Sequence, residues 1–378
     1  MFFIIIFSIW ALILTHVFYR TEQLFGGTVL TRVLIGLGVY LLGFAYVLAR
    51  IFVSSSSTGT SARVLIYSGA LLTGFFAILW TLIVFFDIGS VLASLAVHVQ
   101  LGSWSPGARR TTVLVLWGSA AVPGVVGWVI GYSTPRLTTL RVTVPGVQPA
   151  RFVVLSDSHL GEISSVDQWR RTLTAARELH PDAILFPGDL IDDSTGRGWA
   201  QAGELRTVFP DQPIYVSFGN HDVYSGVEHF TRLCRTFRFR LLRQESEQLV
   251  PGLTIAGIDD ASLTSAGEAI RALLPHLTGP VFLMSHRPAV AHLLQERSQT
   301  LVLSGHTHGG QTLPAVLLVA LANGGFRAGN YVVGACRLYL SRGVGVWGPP
   351  VRLFASPELI LIEVSPGSRF EVKNGSGR

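Results

Sequence analysis

Four long apolar stretches in the first third of this 378-residue chain constrain its fold more than any other feature. A helix needs about 20 predominantly apolar residues to cross a bilayer, and such runs are the main sequence signature of membrane proteins. The stretches lie at residues 2–19, 30–53, 64–86 and 111–132. We therefore expect about four transmembrane helices, and the moderately apolar segment 88–101 leaves a fifth, partial or interfacial segment open.

The composition supports a protein located in the cell membrane. The chain is 49% hydrophobic and 14% charged, with a mean hydropathy of +0.47, which is too apolar for an ordinary soluble enzyme. The first stretch has no basic start and no small-residue cleavage site, so we interpret it as an anchor and not as a removed signal. The clear spans carry no ionisable residue at mid-depth, which favours an anchor or a lipid-access scaffold over a transporter.

The positive charge is concentrated in the apolar half. Residues 1–150 hold eight Arg against Glu22 and Asp87, whereas residues 151–378 hold 21 basic and 21 acidic side chains. The excess therefore flanks the apolar stretches, and the charge balance of the second half argues against a nucleic-acid partner. The distribution of Arg between the two sides leans only slightly towards a cytoplasmic C-terminal half, and a fifth span would reverse it.

The second half has the pattern of an α/β domain. Residues 133–150 break the apolar pattern with Pro, Thr and Gly and are predicted to be a linker. Across 151–365, apolar runs such as RFVVLSD, AILFPGD and TLVLSGH alternate with helical segments, which is typical of strands buried on both faces. The last residues, 366–378, are predicted to be a loosely ordered tail.

Five short motifs follow these runs, at the positions where open α/β sheets place their sites. They are SDSH with Asp157 and His159, PGDL with Asp189, GNHD with Asn220, His221 and Asp222, MSHRP with His286 and Arg287, and SGHTHGGQ with His306 and His308. Carboxylate, amide and imidazole groups are suitable ligands for divalent transition metals, and this set is large enough for two of them. A pair of adjacent metals is an arrangement that promotes attack on a phosphate ester.

Spacing and chemistry suggest roles within this set. Asp157 and His159 are two residues apart, so on an extended chain both side chains point the same way. Asp189 has two carboxylate oxygens, enough to bridge two cations. His221 suits a general acid or electrostatic partner, and Asp222 is predicted to hold its ring. Each motif alone also fits a helix cap, a polar turn or a buried histidine; their combination favours metal.

The motifs, in this order, resemble the calcineurin-like metallophosphoesterase superfamily. SGHTHGGQ with Pro314, and LYLSRGVGVWGPPVRLFASPEL, resemble a bacterial membrane-associated branch that includes UDP-diacylglucosamine pyrophosphatases. The resemblance covers roughly residues 140–365. It implies an α/β metallophosphoesterase domain, a four-layer α-β-β-α sandwich, behind the N-terminal transmembrane bundle.

The resemblance also implies a cofactor of two divalent metal ions, either Mn, Fe, Zn or Co. The implied ligands of one metal are Asp157, His159, Asp189 and His308, and those of the other are Asp189, Asn220, His286 and His306. His221 would protonate or stabilise the leaving oxygen, and Arg287 and Arg342 are candidates for substrate contact.

The expected function is therefore hydrolysis of a phosphodiester or pyrophosphate bond, with a lipid as one plausible substrate. A protein Ser/Thr phosphatase, a nuclease, or a non-catalytic metal-binding membrane sensor stays open as an alternative. The apolar segment 313–326 is either a buried helix or a membrane-facing lip that admits an acyl chain, and Trp347 either extends that lip or packs under a Pro-rich turn.

Overall fold

The computed structural model describes residues 2–52, 59–97, 104–192 and 196–375. The chain forms two compact units. The helical unit comprises Met1–Val129 and two short later segments, Thr312–Pro314 and Gly348–Leu353; the α/β unit comprises Ile130–Gln311, Ala315–Trp347 and Phe354–Arg378.

Long apolar helices form the helical unit. They are α1 (Phe2–Phe25), α2 (Val29–Gly43), α3 (Ala45–Phe52), α4 (Thr60–Val97) and α5 (Pro106–Gly131). Within the described residues, α4 and α5 are long and apolar enough to cross a membrane, and α2 with α3 would make a third span. The part of the chain that the structure describes thus contains two or three candidate spans by these criteria, fewer than the four expected. The first stretch, 2–19, lies in α1, whose first side chains fall outside the described residues, so its role as a span stays a prediction.

One expectation for this unit needs correction, and one alternative that the sequence left open is decided for the described residues. The stretch 30–53 is not one straight span, because α2 and α3 meet at a bend of 57°. Gly43 ends α2 where a Cβ would lie 2.4 Å from a Leu14 methyl group, so the close packing of α1 excludes a side chain there. Residues 88–97 continue α4 and do not form a separate fifth segment, and 98–101 lie outside the described residues.

The helical unit is apolar inside and outside. Its buried cluster includes Leu14, Val17, Phe76 and Leu79, while many large apolar side chains on the same helices are exposed. An exposed apolar surface of this extent is typical of a surface that contacts lipid. One polar cluster joins α1 to α4: the Asp87 carboxylate contacts Arg20 and lies 3.1 Å from His16 Nε2.

Two mixed sheets form the centre of the α/β unit. The first has seven strands in the order β13-β1-β12-β2-β3-β4-β5, and the second has six in the order β10-β11-β9-β8-β7-β6. The strands of the first sheet are β1 (Arg136–Val144), β2 (Ala150–Val154), β3 (Ala183–Pro187), β4 (Ile214–Ser217), β5 (Arg240–Leu241), β12 (Glu358–Pro366) and β13 (Glu371–Asn374). Those of the second are β6 (Glu245–Val250), β7 (Leu253–Gly257), β8 (Val281–Met284), β9 (Thr300–Ser304), β10 (Gly329–Val333) and β11 (Cys336–Leu340).

Helices cover the outer face of each sheet. They are α6 (Val166–Glu178), α7 (Gly196–Val208), α9 (Val227–Thr236) and α10 (Ala266–Leu273), with short 3-10 helices at Leu274–His276 and Pro288–Leu294. Three further helices follow strand ends: α8 (Asn220–Tyr224) after β4, and the 3-10 helix His308–Gly310 and α11 (Ala315–Ala322) after β9; no side chain of α11 is buried. One buried cluster lies between the sheets and includes Phe152 and Phe282; a second packs Trp169 and Phe230 on the first sheet, and a third packs Ile270 and Val290 on the second. The four-layer α-β-β-α sandwich expected from the sequence is therefore confirmed.

The predicted linker and tail belong to the first sheet. Within 133–150, β1 pairs with β12 in parallel over nine residues, because Leu140, Val142 and Val144 point into the core between the sheets. Within 366–378, β13 pairs with β1, and Val372 is buried; residues 376–378 lie outside the described residues. Neither segment is thus a simple connector or a loose end.

Candidate metal centre

The predicted ligands come from loops at one edge of the two sheets. SDSH follows β2, PGDL closes β3, GNHD follows β4, and the two later motifs follow β8 and β9. Because β2, β3 and β4 are parallel neighbours, and so are β8 and β9, their carboxyl ends meet along this edge. The sandwich therefore gathers residues that lie up to about 150 positions apart in sequence.

The backbone is unusual at most of the predicted ligands. Five of the seven have a left-handed φ: Asp157, His159, Asp189, His306 and His308, with values from 44° to 77°. Non-glycine residues rarely adopt this conformation, which costs roughly 1 to 3 kcal/mol each and is concentrated at functional sites. Asp157 and His159 are therefore not on an extended chain, as their spacing suggested, and the left-handed backbone is consistent with a functional site.

Two glycines allow the loops to approach one another. A Cβ at Gly219 would lie 2.1 Å from Asp189 Oδ1, and one at Gly305 would lie 2.1 Å from Asp157 Oδ2. These distances leave no room for any side chain. The glycines of GNHD and SGHTHGGQ thus bring neighbouring backbone within contact of the two central carboxylates.

One group of ligand atoms is formed by Asp157, His159 and His308. All three residues are buried, and their ligand atoms lie within 4.8 Å of one another. The Nε2 atoms of His159 and His308 are 2.9 Å apart, and His308 Nε2 lies 3.6 Å from Asp157 Oδ1. Converging nitrogen and oxygen lone pairs of this kind are suited to a shared cation.

A second group is formed by Asp189, His286 and His306. His286 Nδ1 lies 3.0 Å from the Pro187 carbonyl oxygen, which only accepts, so Nδ1 carries the hydrogen in the neutral ring. The Nε2 lone pair then faces Asp189 Oδ2 at 3.1 Å. Two acceptors at this distance repel each other unless a cation or proton lies beside them.

Asp189 lies between the two groups. Its Oδ2 is 3.1 Å from His286 Nε2 and 3.6 Å from His159 Nε2, and it forms a third group with His159 and His221. Its Oδ1 accepts a hydrogen bond of 2.8 Å from the backbone of His221. One carboxylate therefore reaches imidazoles of both groups, as a bridging ligand must.

Two orphaned polar atoms give an independent test of whether this site suits metal. Asn220 Oδ1 is buried and has no hydrogen-bond partner, and the neutral His286 ring offers its Nε2 lone pair only to the Asp189 carboxylate, which is itself an acceptor. Buried polar atoms are rarely left in this state, because the loss of solvation costs about 1 to 3 kcal/mol. A metal ion would satisfy both, so the residues present fit the two-metal centre that the sequence predicts.

Asp192 is a site residue that the sequence analysis missed. Its Oδ1 contacts His221 Nδ1 and also accepts a 3.2 Å hydrogen bond from His159 Nδ1. A carboxylate on Nδ1 fixes the tautomer and orientation of an imidazole, and it leaves Nε2 for chemistry or for a metal. The second carboxylate of GDLID, three residues after Asp189, is the sequence feature that could have identified it.

Asp222 does not hold the His221 ring, so that prediction is wrong. Its carboxylate instead accepts four backbone hydrogen bonds of 2.8 to 3.1 Å, from Gly219, Asp189, Leu190 and Ile191. The side chain is fully buried. The hydrogen bonds of Asp222 thus connect the PGDL loop to the GNHD loop, and they fix the relative position of the two loops.

The two predicted substrate arginines are each paired with a buried carboxylate. Arg287 Nε lies 2.8 Å from Asp260 Oδ2, and Arg342 Nη1 lies 2.9 Å from Glu358 Oε1. Neither belongs to the three groups of ligand atoms. Their contact with a substrate stays a prediction.

The pKa values of the histidines show how the site treats charge. Burial lowers the pKa of His306 to about 3, which leaves the neutral ring that a metal requires. Burial also opposes protonation of His286, but the carboxylates of Asp189 and Asp157 overcome it and raise its pKa to about 10. Burial is likewise outweighed at His221, where Asp192 raises the pKa to about 9. The carboxylates therefore attract positive charge into a buried space.

Two aromatic rings border His221. The Tyr224 and Trp347 ring centroids lie 5.4 and 5.8 Å from the His221 centroid, and both side chains are substantially exposed. Tyr224 and Trp347 therefore offer exposed aromatic surface next to His221. From the sequence, Trp347 was expected either to extend the apolar segment 313–326 or to pack under a Pro-rich turn, and its position beside His221 was not predicted.

Comparisons with known proteins agree with this architecture. A family model described as calcineurin-like phosphoesterase matches residues 150–310. The transmembrane protein with metallophosphoesterase domain of Danio rerio is 32% identical over 277 residues, which cover 68% of this chain and 63% of that protein. An uncharacterized metallophosphoesterase of Campylobacter jejuni is 30% identical, covering 61% and 63%. The uncharacterized metallophosphoesterase YkuE of Bacillus subtilis is 30% identical, covering 57% and 79%.

The fold and the ligand cluster define a metallophosphoesterase. The chain belongs to the calcineurin-like phosphoesterase family, and its relatives include proteins named for a transmembrane region. The chain spans just under two thirds of the length of the first relatives that it matches.

Proposed function

We propose that this protein is a membrane-anchored hydrolase that cleaves a phosphodiester or pyrophosphate bond with two divalent metal ions. The observation that supports this most strongly is Asp189, whose carboxylate lies between two buried groups of ligand atoms. Asp157, His159, Asp189 and His308 would hold one ion, and Asp189, Asn220, His286 and His306 the other. Divalent ions in such a site supply Lewis acidity, which offsets negative charge on the reacting phosphate.

The remaining residues of the site would manage the proton and the leaving group. Asp192 accepts from Nδ1 of His221, so Nε2 is the atom left to exchange a proton with the leaving oxygen. His221 is also fixed through its backbone N–H, which donates to Asp189. The position of His221 is thus coupled to that of the Asp189 carboxylate. His221 is therefore held in a defined position relative to the metal ligands, as a catalytic proton donor must be.

A lipid is the substrate class that we propose. The described residues include two or three candidate membrane spans, and the motif strings from residue 304 onward resemble those of enzymes that cleave a lipid-linked pyrophosphate. The equal numbers of acidic and basic residues in 151–378 argue against a nuclease.

The test is hydrolysis of bis(p-nitrophenyl) phosphate by the full chain in detergent with Mn²⁺, before and after Asp189→Ala. We expect the variant to lose more than about 100-fold in kcat/KM, because changes to groups that only orient a ligand already cost 10- to 100-fold. Asp211→Ala, an exposed carboxylate of the same unit, is the matched control and should retain full activity. Equal activity of the Asp189 variant and the wild type would refute the proposal.

A further inference from the structure

We propose that α11 and its neighbouring aromatic residues form a membrane-inserted rim through which a lipid substrate reaches the metal centre. The rim is defined by Leu317, Leu318 and Leu321 of α11 together with Trp347 and Phe354. This inference rests on the proposed function, because it assigns a source of substrate to that site.

The composition and exposure of α11 are unusual for a helix on an α/β domain. Its sequence, AVLLVALA, has no polar residue, yet none of its side chains is buried. Leu317, Leu318 and Leu321 are 65, 58 and 83% exposed. A helix on the surface of a soluble domain normally presents a polar face to water, so this helix requires an apolar environment that the rest of its own unit does not provide. Of the two interpretations of segment 313–326, the buried helix is therefore excluded.

The helix is joined directly to the metal-binding motif. A Cβ at Gly310 would lie 2.6 Å from Val316 Cα, so the start of α11 packs against the glycine pair of SGHTHGGQ. Gln311 then exchanges two hydrogen bonds with the backbone of Trp347, at 2.8 and 3.1 Å, and accepts one from the backbone of Phe354 at 3.2 Å. Because the Trp347 ring also borders His221, contacts run without interruption from α11 to the candidate proton donor.

The path of the chain indicates which apolar environment covers the rim. Thr312–Pro314, directly before α11, and Gly348–Leu353, directly after Trp347, are grouped with the helices of the helical unit. Val351 belongs to the buried cluster of that unit, and the backbone of Arg352 donates to the Gly127 carbonyl of α5. The rim is therefore continuous in sequence, at both ends, with segments that pack among candidate membrane spans. Tryptophan is enriched at the level of the lipid headgroups because its ring is partly apolar and partly polar.

The charge of this region fits the same environment. Between Glu296 and Glu358 the sequence contains five Arg and no acidic residue, although residues 151–378 as a whole are balanced. Arg342 pairs with Glu358 and Arg352 is buried, so Arg297, Arg327 and Arg337 carry the excess positive charge. An apolar surface in a basic segment suits the boundary between acyl chains and anionic headgroups. A soluble protein partner or a second copy of the chain would not require this combination, so we assign the rim to the bilayer.

The direct test measures whether α11 contacts acyl chains. The only cysteines, Cys234 and Cys336, are buried, so a cysteine introduced at position 321 by Leu321→Cys can be labelled selectively with a fluorophore. The full chain is reconstituted in phosphatidylcholine–phosphatidylglycerol vesicles with and without nitroxide-labelled acyl chains. Leu293→Cys is the matched control, because Leu293 is 50% exposed in the same unit but outside the rim.

We expect the nitroxide lipids to quench the label at 321 at least about twofold more than the label at 293. Equal quenching at the two positions would overturn the proposal, and so would protection of the 321 label by self-association of the chain. This measurement needs no turnover, so it is independent of the proposed activity.

A second measurement links the rim to substrate delivery. In the double variant Leu317→Gln/Leu321→Gln, we expect hydrolysis of CDP-diacylglycerol in vesicles to fall by at least about 100-fold, which corresponds to the lost burial of two leucines. Hydrolysis of soluble bis(p-nitrophenyl) phosphate should be unchanged, and Leu293→Gln should affect neither substrate. Parallel loss on both substrates, or no loss on vesicles, would contradict the inference. A wild-type chain inactive on the soluble diester would instead contradict the proposed function.

Discussion

The Asp192 carboxylate contacts Nδ1 of His221, and this relationship fixes which ring nitrogen of the histidine is available for chemistry. The same oxygen also accepts from Nδ1 of His159, a predicted metal ligand. Asp192 therefore orients both a candidate proton donor and a candidate ligand without belonging to either group of ligand atoms itself.

Asp192→Asn should reduce catalysis while the site still binds metal. We expect kcat on a soluble diester to fall by about 10- to 100-fold, the usual cost of losing a carboxylate that orients an imidazole. The measurement is steady-state kinetics at saturating Mn²⁺, combined with metal analysis of the same sample. Asp211→Asn is the control. An unchanged kcat would show that the contact between Asp192 and His221 has no part in the reaction.

Asp222→Asn should destabilise the domain. The substitution replaces one carboxylate oxygen, which accepts two of the four buried backbone N–H groups, by an amide NH2 that only donates, so we expect a loss of about 3 to 5 kcal/mol in the free energy of unfolding. Chemical denaturation followed by circular dichroism measures this. Wild-type stability together with a large drop in kcat would restore the original view that Asp222 acts on His221.

Gly305→Ala should weaken metal binding more than folding. The added methyl carbon would lie 2.1 Å from Asp157 Oδ2, so either that carboxylate or the loop must move. We expect metal affinity to fall by at least about tenfold, because displacement of one ligand costs as much as loss of an orienting partner. Gly196→Ala is a suitable control, since a Cβ there meets nothing within 4 Å. Titration calorimetry with Mn²⁺ on both variants decides the matter, and equal affinities would argue against a ligand role for Asp157.

Asp87→Asn should loosen the helical unit. The Asp87 carboxylate of α4 forms ion-pair contacts with Arg20 and His16 of α1, and these contacts join the two helices in an otherwise apolar unit. The group is partly exposed, so we expect a moderate loss of about 1 to 3 kcal/mol, visible as a lower Tm in detergent. Adding Arg20→Gln to Asp87→Asn should cost less than the sum of the single changes, because the first change already leaves Arg20 without its partner. Strictly additive losses would mean that the pair is not coupled.

The sequence predicted the ligand set because its members follow buried strands. Each apolar run, such as TLVLS of β9, predicts a buried strand and therefore the position at which that strand ends. Polar residues directly after such a strand have few structural roles, so they indicate a functional site. Within one sheet the carboxyl ends of parallel strands share an edge, which groups Asp157 with Asp189 and, in the other sheet, His286 with His306. The contact between the two groups, such as the 2.7 Å hydrogen bond from the His306 backbone N–H to Asp157 Oδ1, depends on the packing of one sheet on the other. The four-layer sandwich followed from the resemblance carried by these same motifs.

Other features could not be predicted from local patterns. Asp222 follows His221 in sequence, and this led to the wrong prediction that its carboxylate contacts the His221 ring. Consecutive residues of the short helix α8 point in different directions, so neighbours in sequence need not be in contact. Asp192 lies in a loop, where no periodicity fixes the direction of a side chain. The exposure of α11 was equally hidden, because a helix without polar residues has no pattern that distinguishes its inner face from its outer face. The strand in 133–150 depends on its distant partner β12.

The central claim is that one carboxylate, that of Asp189, holds two metal ions. The most direct measurement is the metal content of the purified, folded full chain by elemental mass spectrometry, with Asp189→Asn beside it. We predict two transition-metal ions per wild-type chain and at most one in the variant. A catalytically active wild type with a single ion or none, or a variant that retains both ions, would contradict the account.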